Sequence, residues 1–215
     1  ALRLLDLRQC DDGTREHALA EFVQDLARGA FDFSADNMLR AGLARLRDQE
    51  CVLVITLHHI AADGWSLGVL DRELERFYTA FDRGLPAEIP PLPLQYSDYS
   101  EWQRDALSGA ALDQQLNFWR RQLAGLPPLE LPTDRARPAQ LSYRGDRERF
   151  TVPAGLVASL NDRALEQKAT LYMALLAAFQ VLLMRYSGQE DIAVGSPIAG
   201  RTRIEIEGLI GFFVN

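Results

Sequence analysis

Apolar residues alternate with polar or small ones through residues 39–43, and residues 51–57 form an almost continuous apolar run. Asp48-Gln49 separates the two segments, so the pattern predicts a β-hairpin over residues 39–57. The aromatic residues of Phe31-Asp32-Phe33 are predicted to anchor the loop before it. Further upstream, helical spacing followed by a glycine predicts a helix and its end, on Leu19, Phe22, Val23, Leu26 and Gly29.

Two amphipathic helices are predicted in the middle of the chain, and Ser66 is expected to cap the first. The proline-rich residues 86–93 are interpreted as an extended connector, and residues 126–144, rich in Pro and Arg, as a linker between subdomains. The side chains expected to face inward are Leu67, Leu70, Leu74, Phe77 and Phe81 in the first helix and Leu112, Leu116, Trp119 and Leu123 in the second.

The pattern resumes after the linker. It predicts an amphipathic helix over residues 156–166 and a buried helix over residues 171–186. Short strands are predicted over residues 147–152, 192–194 and 211–215. Strands and helices are mixed along the whole chain, which favours an α/β sandwich.

Composition narrows the function classes. The 215 residues are 47% hydrophobic and 25% charged, as in a globular protein. The net charge of −7 argues against a nucleic-acid partner, because such binding needs clustered Lys and Arg. Cys10 and Cys51 lack CxxC spacing and are interpreted as reduced thiols. The most apolar stretch, residues 171–184, is shorter than the ~18 residues of a bilayer span, so no membrane segment is expected.

The candidate chemistry lies directly after the apolar run, in His58-His59-Ile60-Ala61-Ala62-Asp63-Gly64-Trp65-Ser66. One interpretation is a serine hydrolase, because Gly64-Trp65-Ser66-Leu67-Gly68 matches the G-x-S-x-G elbow. That elbow lies directly between strand and helix and has its histidine later in the chain. Here the strand ends earlier and no histidine follows His59, so the match is weak.

Two other interpretations use the histidines themselves. His58, His59 and Asp63 are ordinary metal-ligand types, but adjacent residues leaving a strand point in opposite directions. Alternatively, one histidine turns inward for structure and the other faces a cavity as a general base, while Asp63 holds the loop. A neutral imidazole, with a pKa of about 6.5, can take a proton from an amine or hydroxyl. Two purely structural histidines remain the alternative without catalysis.

Three segments resemble, in the same order, the signatures of one family. Residues 58–64 match HHxxxDG, residues 94–103 resemble Y-x-D-aromatic-x-x-W, and residues 210–215 resemble I-G-x-F-V-N. With residues 31–33 and 195–201, they identify the chain by resemblance as a member of the condensation domains of non-ribosomal peptide synthetases. A complete member is about twice this length, so the chain is expected to be the central segment, without either end.

The resemblance implies a fold of two chloramphenicol-acetyltransferase-like α/β lobes, a V-shaped pseudo-dimer with a tunnel between the lobes. Residues 1–125 would be the remainder of the N-terminal lobe, with the HHxxxDG motif. Residues 126–144 would be the linker, and residues 145–215 the first part of the C-terminal lobe.

The resemblance also implies an activity. It is amide bond formation between a donor acyl or peptidyl thioester and the amine of an acceptor aminoacyl thioester. The resemblance implies no directly bound metal or cofactor, because a thioester is already activated. Both substrates would be held on the phosphopantetheine arms of carrier domains. The implied partners are donor and acceptor peptidyl carrier domains and an adjacent adenylation domain in the bacterial cytoplasm, with no nucleic acid and no membrane.

By resemblance, His59 is the catalytic histidine and His58 supports it. Asp63 is structural and is expected to meet an arginine from outside this segment, and the Gly64 N–H faces the reacting centre. Trp65 and Ser66 are expected to support the motif. Asn215 and Arg201 are candidates for lining the tunnel, although pairing with a carboxylate is favoured for Arg201. The residues expected to brace helix packing are Tyr96, Asp98 and Trp102.

Subfamily signatures favour bond formation. Trp65 precedes Ser66, whereas epimerisation domains place the tryptophan after the serine and lack the F-V-N ending. Heterocyclisation domains have aspartates in place of the histidine pair. The alternative from another class is a catalytically silent carrier-binding module. In such a module His59 could be buried, whereas an active domain needs it to face open space.

Overall fold

A three-stranded sheet carries the histidine motif at the end of its last strand. The computed structural model describes residues 2–136, 138–140, 142 and 145–215. Within it, β1 (Arg3–Asp6) pairs parallel with β2 (Leu39–Arg47), and β2 pairs antiparallel with β3 (Glu50–Leu57). The predicted hairpin is confirmed, with Asp48-Gln49 as its turn.

Helix α1 (Asp12–Arg28) packs on this sheet, and Gly29 follows its last turn as predicted. Close packing requires a glycine on the sheet at Gly42, where a Cβ would overlap two side chains of α1. Burial of large apolar side chains between the two layers stabilises the arrangement. The buried residues of this core are Leu7, Phe22, Leu26, Ala44 and Leu46.

The other elements are helical: α2 (Gly64–Asp82), α3 (Tyr96–Ala106), α4 (Gly109–Gln122), α5 (Ala154–Glu166), α6 (Leu171–Ser187) and a 3₁₀ turn at Ile204–Ile206. The chain divides into two compact units. One contains the described residues up to Ser108 together with Pro197–Asn215, and the other is Gly109–Ser196. The predicted division into a lobe over residues 1–125, a linker over residues 126–144 and a second lobe over residues 145–215 stays a prediction.

The strands predicted at residues 147–152, 192–194 and 211–215 are wrong for the described chain, where these residues form no strand. A strand needs a neighbour to satisfy its backbone groups, and an apolar run does not supply one. In residues 211–215 the nearest approach to strand pairing is one isolated exchange, in which the Asn215 and Ile198 N–H groups each donate to the other's carbonyl at 3.0 and 2.9 Å.

The predicted inward face of α2 is correct only in part, and the predicted inward face of α4 and the predicted burial of α6 are wrong for the described chain. In α2, Leu70 and Leu74 are half-buried, but Leu67 is 54% exposed and Phe81 is 70% exposed. The buried residues of this helix are Ser66 and Val69. In α4 no described residue is buried, and in α6 Leu183 alone is. Helical periodicity identifies a face that needs covering but does not identify the element that covers it.

Within the described residues, no single helix is long and apolar enough to cross a membrane. Helices α5 and α6 together pass that test of length and composition, but they are bent by 103°.

Candidate active site

The backbone turns sharply at the histidine pair, and His58 forms the inner side of the turn. The Ala61 N–H donates to the His58 carbonyl at 2.9 Å, and the Ile60 N–H donates to His58 Nδ1 at 3.1 Å. The half-buried ring makes edge contacts with Phe31 and Phe33, at centroid distances of 5.5 and 4.7 Å. Because Nδ1 accepts a hydrogen bond, the neutral ring carries its proton on Nε2.

His59 points away from these rings and is exposed. Its Nδ1 lies 2.8 Å from the Ala62 carbonyl oxygen. A carbonyl oxygen only accepts, so Nδ1 is the donor, and the neutral ring keeps a lone pair on Nε2. Phe212 contacts the ring edge-on at a centroid distance of 5.1 Å. The two histidines therefore differ in tautomer and surroundings, as alternation along the chain predicts.

Asp63 is the N-cap of helix α2. Its Oδ1 accepts from the Ser66 N–H at 2.9 Å. The prediction that Ser66 is the cap is therefore wrong. A carboxylate is a stronger acceptor than a hydroxyl and is favoured at the positive end of the helix dipole, so the helix begins one turn earlier than the serine indicates.

Ser66 is fully buried, and its hydroxyl is already used. The oxygen accepts from the Gly211 N–H and from Arg201 Nη2, each at 3.0 Å. Its single proton faces Asp63 Oδ1 at 2.8 Å and the Gly211 carbonyl at 2.9 Å. A hydroxyl held in this way has no access to a substrate, which removes the serine hydrolase interpretation.

A buried ion pair joins Asp63 to Arg201, with 3.1 Å between Oδ1 and Nη2 and side chains that are 0% and 1% exposed. The expectation that the arginine comes from outside this segment is therefore wrong. Arg201 Nη1 donates to the carbonyls of Ile206 and Leu209, and the guanidinium lies over the Phe213 ring at 4.0 Å. This supports the favoured pairing role of Arg201, and its tunnel-lining role stays a prediction.

The Asp63 carboxylate is held ionised. Burial raises its pKa, but hydrogen bonds from Ser66, from the Phe213 N–H and from Arg201 outweigh burial and lower the pKa to about 2. With both oxygens accepting from protein donors, Asp63 offers no free oxygen to a metal. The described residues contain no group of three or more His, Cys, Asp or Glu side chains placed to hold one.

The lowered pKa predicts an acid-sensitive fold. Because the folded-state pKa of Asp63 lies below the unfolded value of about 3.9, its stabilising contribution is complete above that value and is lost as pH falls towards about 2. We expect the melting temperature of the complete domain to fall more steeply below pH 4 than that of Asp63→Asn. Parallel melting curves for the two proteins would contradict this assignment.

Hydrogen bonds to the backbone of residues 211–213 hold this segment beside the motif. The Asp63 N–H donates to the Gly211 carbonyl at 3.1 Å, and the Phe213 N–H donates to Asp63 Oδ2 at 3.0 Å. The Tyr96 hydroxyl donates to the Phe212 carbonyl at 2.7 Å. These bonds fix the Phe212 side chain against His59. Sequence reasoning missed Phe212, because a contact across some 150 residues leaves no local signal.

Gly211 has no room for a side chain, since a Cβ would overlap the rings of Tyr96 and Phe213. Gly211→Ala should therefore destabilise the complete domain by ~1–3 kcal/mol, as overpacking does. Gly208→Ala is the matched control, because a Cβ there would meet only Leu92 at 4.0 Å. Chemical denaturation measures both variants, and equal stabilities would show that Gly211 is not constrained by packing.

The structure also locates the other predicted site residues. Gly64 begins α2, so its N–H has no acceptor within the helix, and the space beside its Cα is open. Trp65 Nε1 donates to the Glu207 carbonyl at 2.9 Å. The side chain of Asn215 is exposed. Tyr96 packs against Phe213, which supports its predicted bracing role. Asp98 caps α3 through its bond to the Gln95 N–H, and Trp102 contacts Tyr99 of the same helix, so the bracing roles of these two stay a prediction.

The condensation domain family model matches residues 1–215. The chain therefore belongs to the condensation domain family, as its motifs predict. One of the linear gramicidin synthase proteins of Brevibacillus parabrevis is 47% identical over 216 residues, which cover 100% of this chain and 3% of that protein.

Solved structures agree with the predicted chloramphenicol-acetyltransferase-like α/β class. The X-domain from teicoplanin biosynthesis has a TM-score of 0.86 and 31% identity, and the match covers all of this chain and 47% of that one. A four-domain non-ribosomal peptide synthetase, AB3403, has a TM-score of 0.82 and 25% identity over 100% of this chain and 16% of that one. The chain thus spans about half of the solved X-domain.

Proposed function

We propose that the chain supplies the proton-accepting half of a peptide-bond-forming site. The main support is the environment of His59, which is exposed and donates a hydrogen bond through Nδ1 to the Ala62 carbonyl. Its Nε2 lone pair is then free to accept a proton, as amine attack requires. A catalytically silent module would not need this arrangement. A catalytically silent module is the second candidate function, and the similarity to the X-domain favours it.

The proposed reaction joins two thioester-bound substrates. The acceptor amine attacks the donor carbonyl carbon, a C–N bond forms, and the C–S bond to the donor arm breaks. His59 Nε2 takes the proton from the attacking nitrogen and returns it to the departing thiolate. The Gly64 N–H, at the N-terminus of α2, is proposed to stabilise the developing charge on oxygen. A thioester is already activated, so this chemistry needs positioning more than a further catalyst.

The partners follow from this chemistry. Both substrates would arrive on the phosphopantetheine arms of peptidyl carrier domains, one upstream and one downstream. A neighbouring adenylation domain would load the acceptor, as the likeness to a four-domain synthetase supports. We propose that these steps take place in the bacterial cytoplasm, where such carriers are loaded.

A reconstitution tests the proposal. The complete condensation domain is mixed with a donor carrier and an acceptor carrier, each loaded with the residue that its own adenylation domain activates. Intact-protein mass spectrometry should show the donor acyl group transferred to the acceptor carrier, and omission of either carrier should abolish transfer. If both carriers bind but the acyl group stays on the donor, the silent module is the correct function.

A further inference from the structure

One arginine fixes the loop that touches the histidine turn. Arg40 lies on β2, and its Nη1 donates to the Gly29 carbonyl at 2.8 Å. Its Nη2 donates to the Ala30 carbonyl at 2.5 Å and to Asp36 Oδ2 at 2.9 Å. The guanidinium also lies over the Phe31 ring, 3.9 Å from its centroid. A single side chain therefore joins both ends of the loop between α1 and β2.

The surroundings of Arg40 are specific for arginine. A Cβ at Gly29 would overlap the guanidinium, so the glycine provides the space in which the side chain lies. A planar fork can donate to two carbonyls and a carboxylate while it stacks on an aromatic ring, whereas the compact ammonium of lysine cannot do both. The Arg40 side chain is 27% exposed, so water is excluded from only part of it.

The loop contacts His58, the residue directly before the candidate base. Phe31 and Phe33 make edge contacts with the His58 ring, and the His58 N–H donates to the Met38 carbonyl at 3.0 Å. His58 in turn accepts from the Ile60 N–H through Nδ1. The two phenylalanines therefore lie against the His58 ring, which accepts a hydrogen bond within the turn that presents the next residue, His59.

We propose that Arg40 is a positioning residue for amide bond formation. By holding Phe31 and Phe33 against His58, it fixes the turn that aims His59 Nε2 at the acceptor amine. This inference rests on the proposed function of His59. Arg40 itself touches no reacting atom, so its effect should fall on the rate of the bond-forming step and not on carrier binding.

The chain contains a matched control in Arg15. This arginine likewise joins a helix to loop carbonyls, donating to Leu7 at 3.3 Å and to Cys10, and it pairs with Asp12. The described structure gives Arg15 no contact with the histidine turn. Loss of Arg15 should therefore cost stability without changing the geometry of the site.

The experiment compares Arg40→Met with Arg15→Met in the complete condensation domain with both carriers loaded. We expect Arg40→Met to lower the single-turnover rate constant at saturating carrier by ~10-fold, because small misplacements of catalytic groups are costly. The KM for either carrier should stay within ~2-fold, since the change is expected to alter the orientation of His59 and not the binding of substrate. The NMR resonances of the His58 ring should shift, because the neighbouring aromatic edges move. Arg15→Met should lower the melting temperature but leave both the rate and these resonances unchanged.

A second variant covers the case in which Arg40→Met does not fold. Phe33 is exposed, so Phe33→Leu should fold while it removes one aromatic edge from His58. It should shift the same resonances and lower the rate in the same direction.

Equal rates for Arg40→Met and Arg15→Met would overturn the inference, as would a rate loss in Arg40→Met or Phe33→Leu without any shift of the His58 resonances. His59→Ala in the same assay distinguishes failure of the proposed function from failure of the inference about Arg40. If that variant is fully active, the proposed function fails. If it is inactive while Arg40→Met is as fast as wild type, the inference about Arg40 alone fails.

Discussion

His59→Ala in the complete condensation domain is expected to slow amide bond formation by at least ~100-fold, because a positioned general base typically contributes 10²–10⁴. The exposed ring makes one hydrogen bond to the Ala62 carbonyl, so the substitution should leave the fold intact. Transfer between loaded carriers measures the rate, and thermal unfolding checks the fold.

His17→Ala is the matched control for that experiment. His17 lies on α1 with its side chain 78% exposed, beside Glu21 and far in sequence from the motif. Its replacement should change neither the rate nor the melting temperature. Wild-type product formation by His59→Ala, with both carriers loaded, would rule out the proposed role of the histidine as a base.

Asp63→Ala is expected to destabilise the complete domain by ~3–5 kcal/mol, the usual cost of removing one member of a buried ion pair. Loss of the Asp63 carboxylate would leave the charge of the buried Arg201 guanidinium uncompensated. The Nε of this guanidinium already has no hydrogen-bond partner among the described residues. The substitution would also remove the cap of α2 and the acceptor of the Phe213 N–H. Denaturant unfolding measures the change in free energy.

Asp48→Ala provides the comparison, because Asp48 is an exposed turn residue whose ion pair with Arg8 is at the surface. Such pairs contribute little, so this variant should unfold nearly like wild type. If Asp63→Ala instead melts like wild type and yet loses all turnover, the residue is catalytic and the division of roles between His59 and Asp63 is wrong.

Local patterns predicted the hairpin and the first helix correctly. The hairpin of β2 and β3 and helix α1 could be predicted from spacing alone, because their apolar faces pack on each other. The family resemblance likewise predicted the family and the fold class. The catalytic role of His59 stays a prediction, although the tautomer indicated by its contact with Ala62 is compatible with it.

Long-range features were not predictable from the residues. The pairing of Asp63 with Arg201 spans 138 residues, and the contact of His59 with Phe212 spans a similar distance. No spacing rule connects such positions. Helix α2 illustrates a different failure, since its apolar stripe is largely exposed while Ser66 on the same helix is buried. There, polar contacts with Asp63 and the chain around Gly211 decide which side is inside.

The proposed role of His59 is to accept a proton through Nε2, and its tautomer in the complete domain tests this role. Histidine labelled with ¹⁵N, with the His59 signals assigned by their loss in His59→Ala, distinguishes the two ring nitrogens by NMR. We expect the neutral ring to carry its proton on Nδ1 and a lone pair on Nε2, with the Nδ1–H donated to the Ala62 carbonyl. A proton found on Nε2 of the neutral ring would rule out this role of His59.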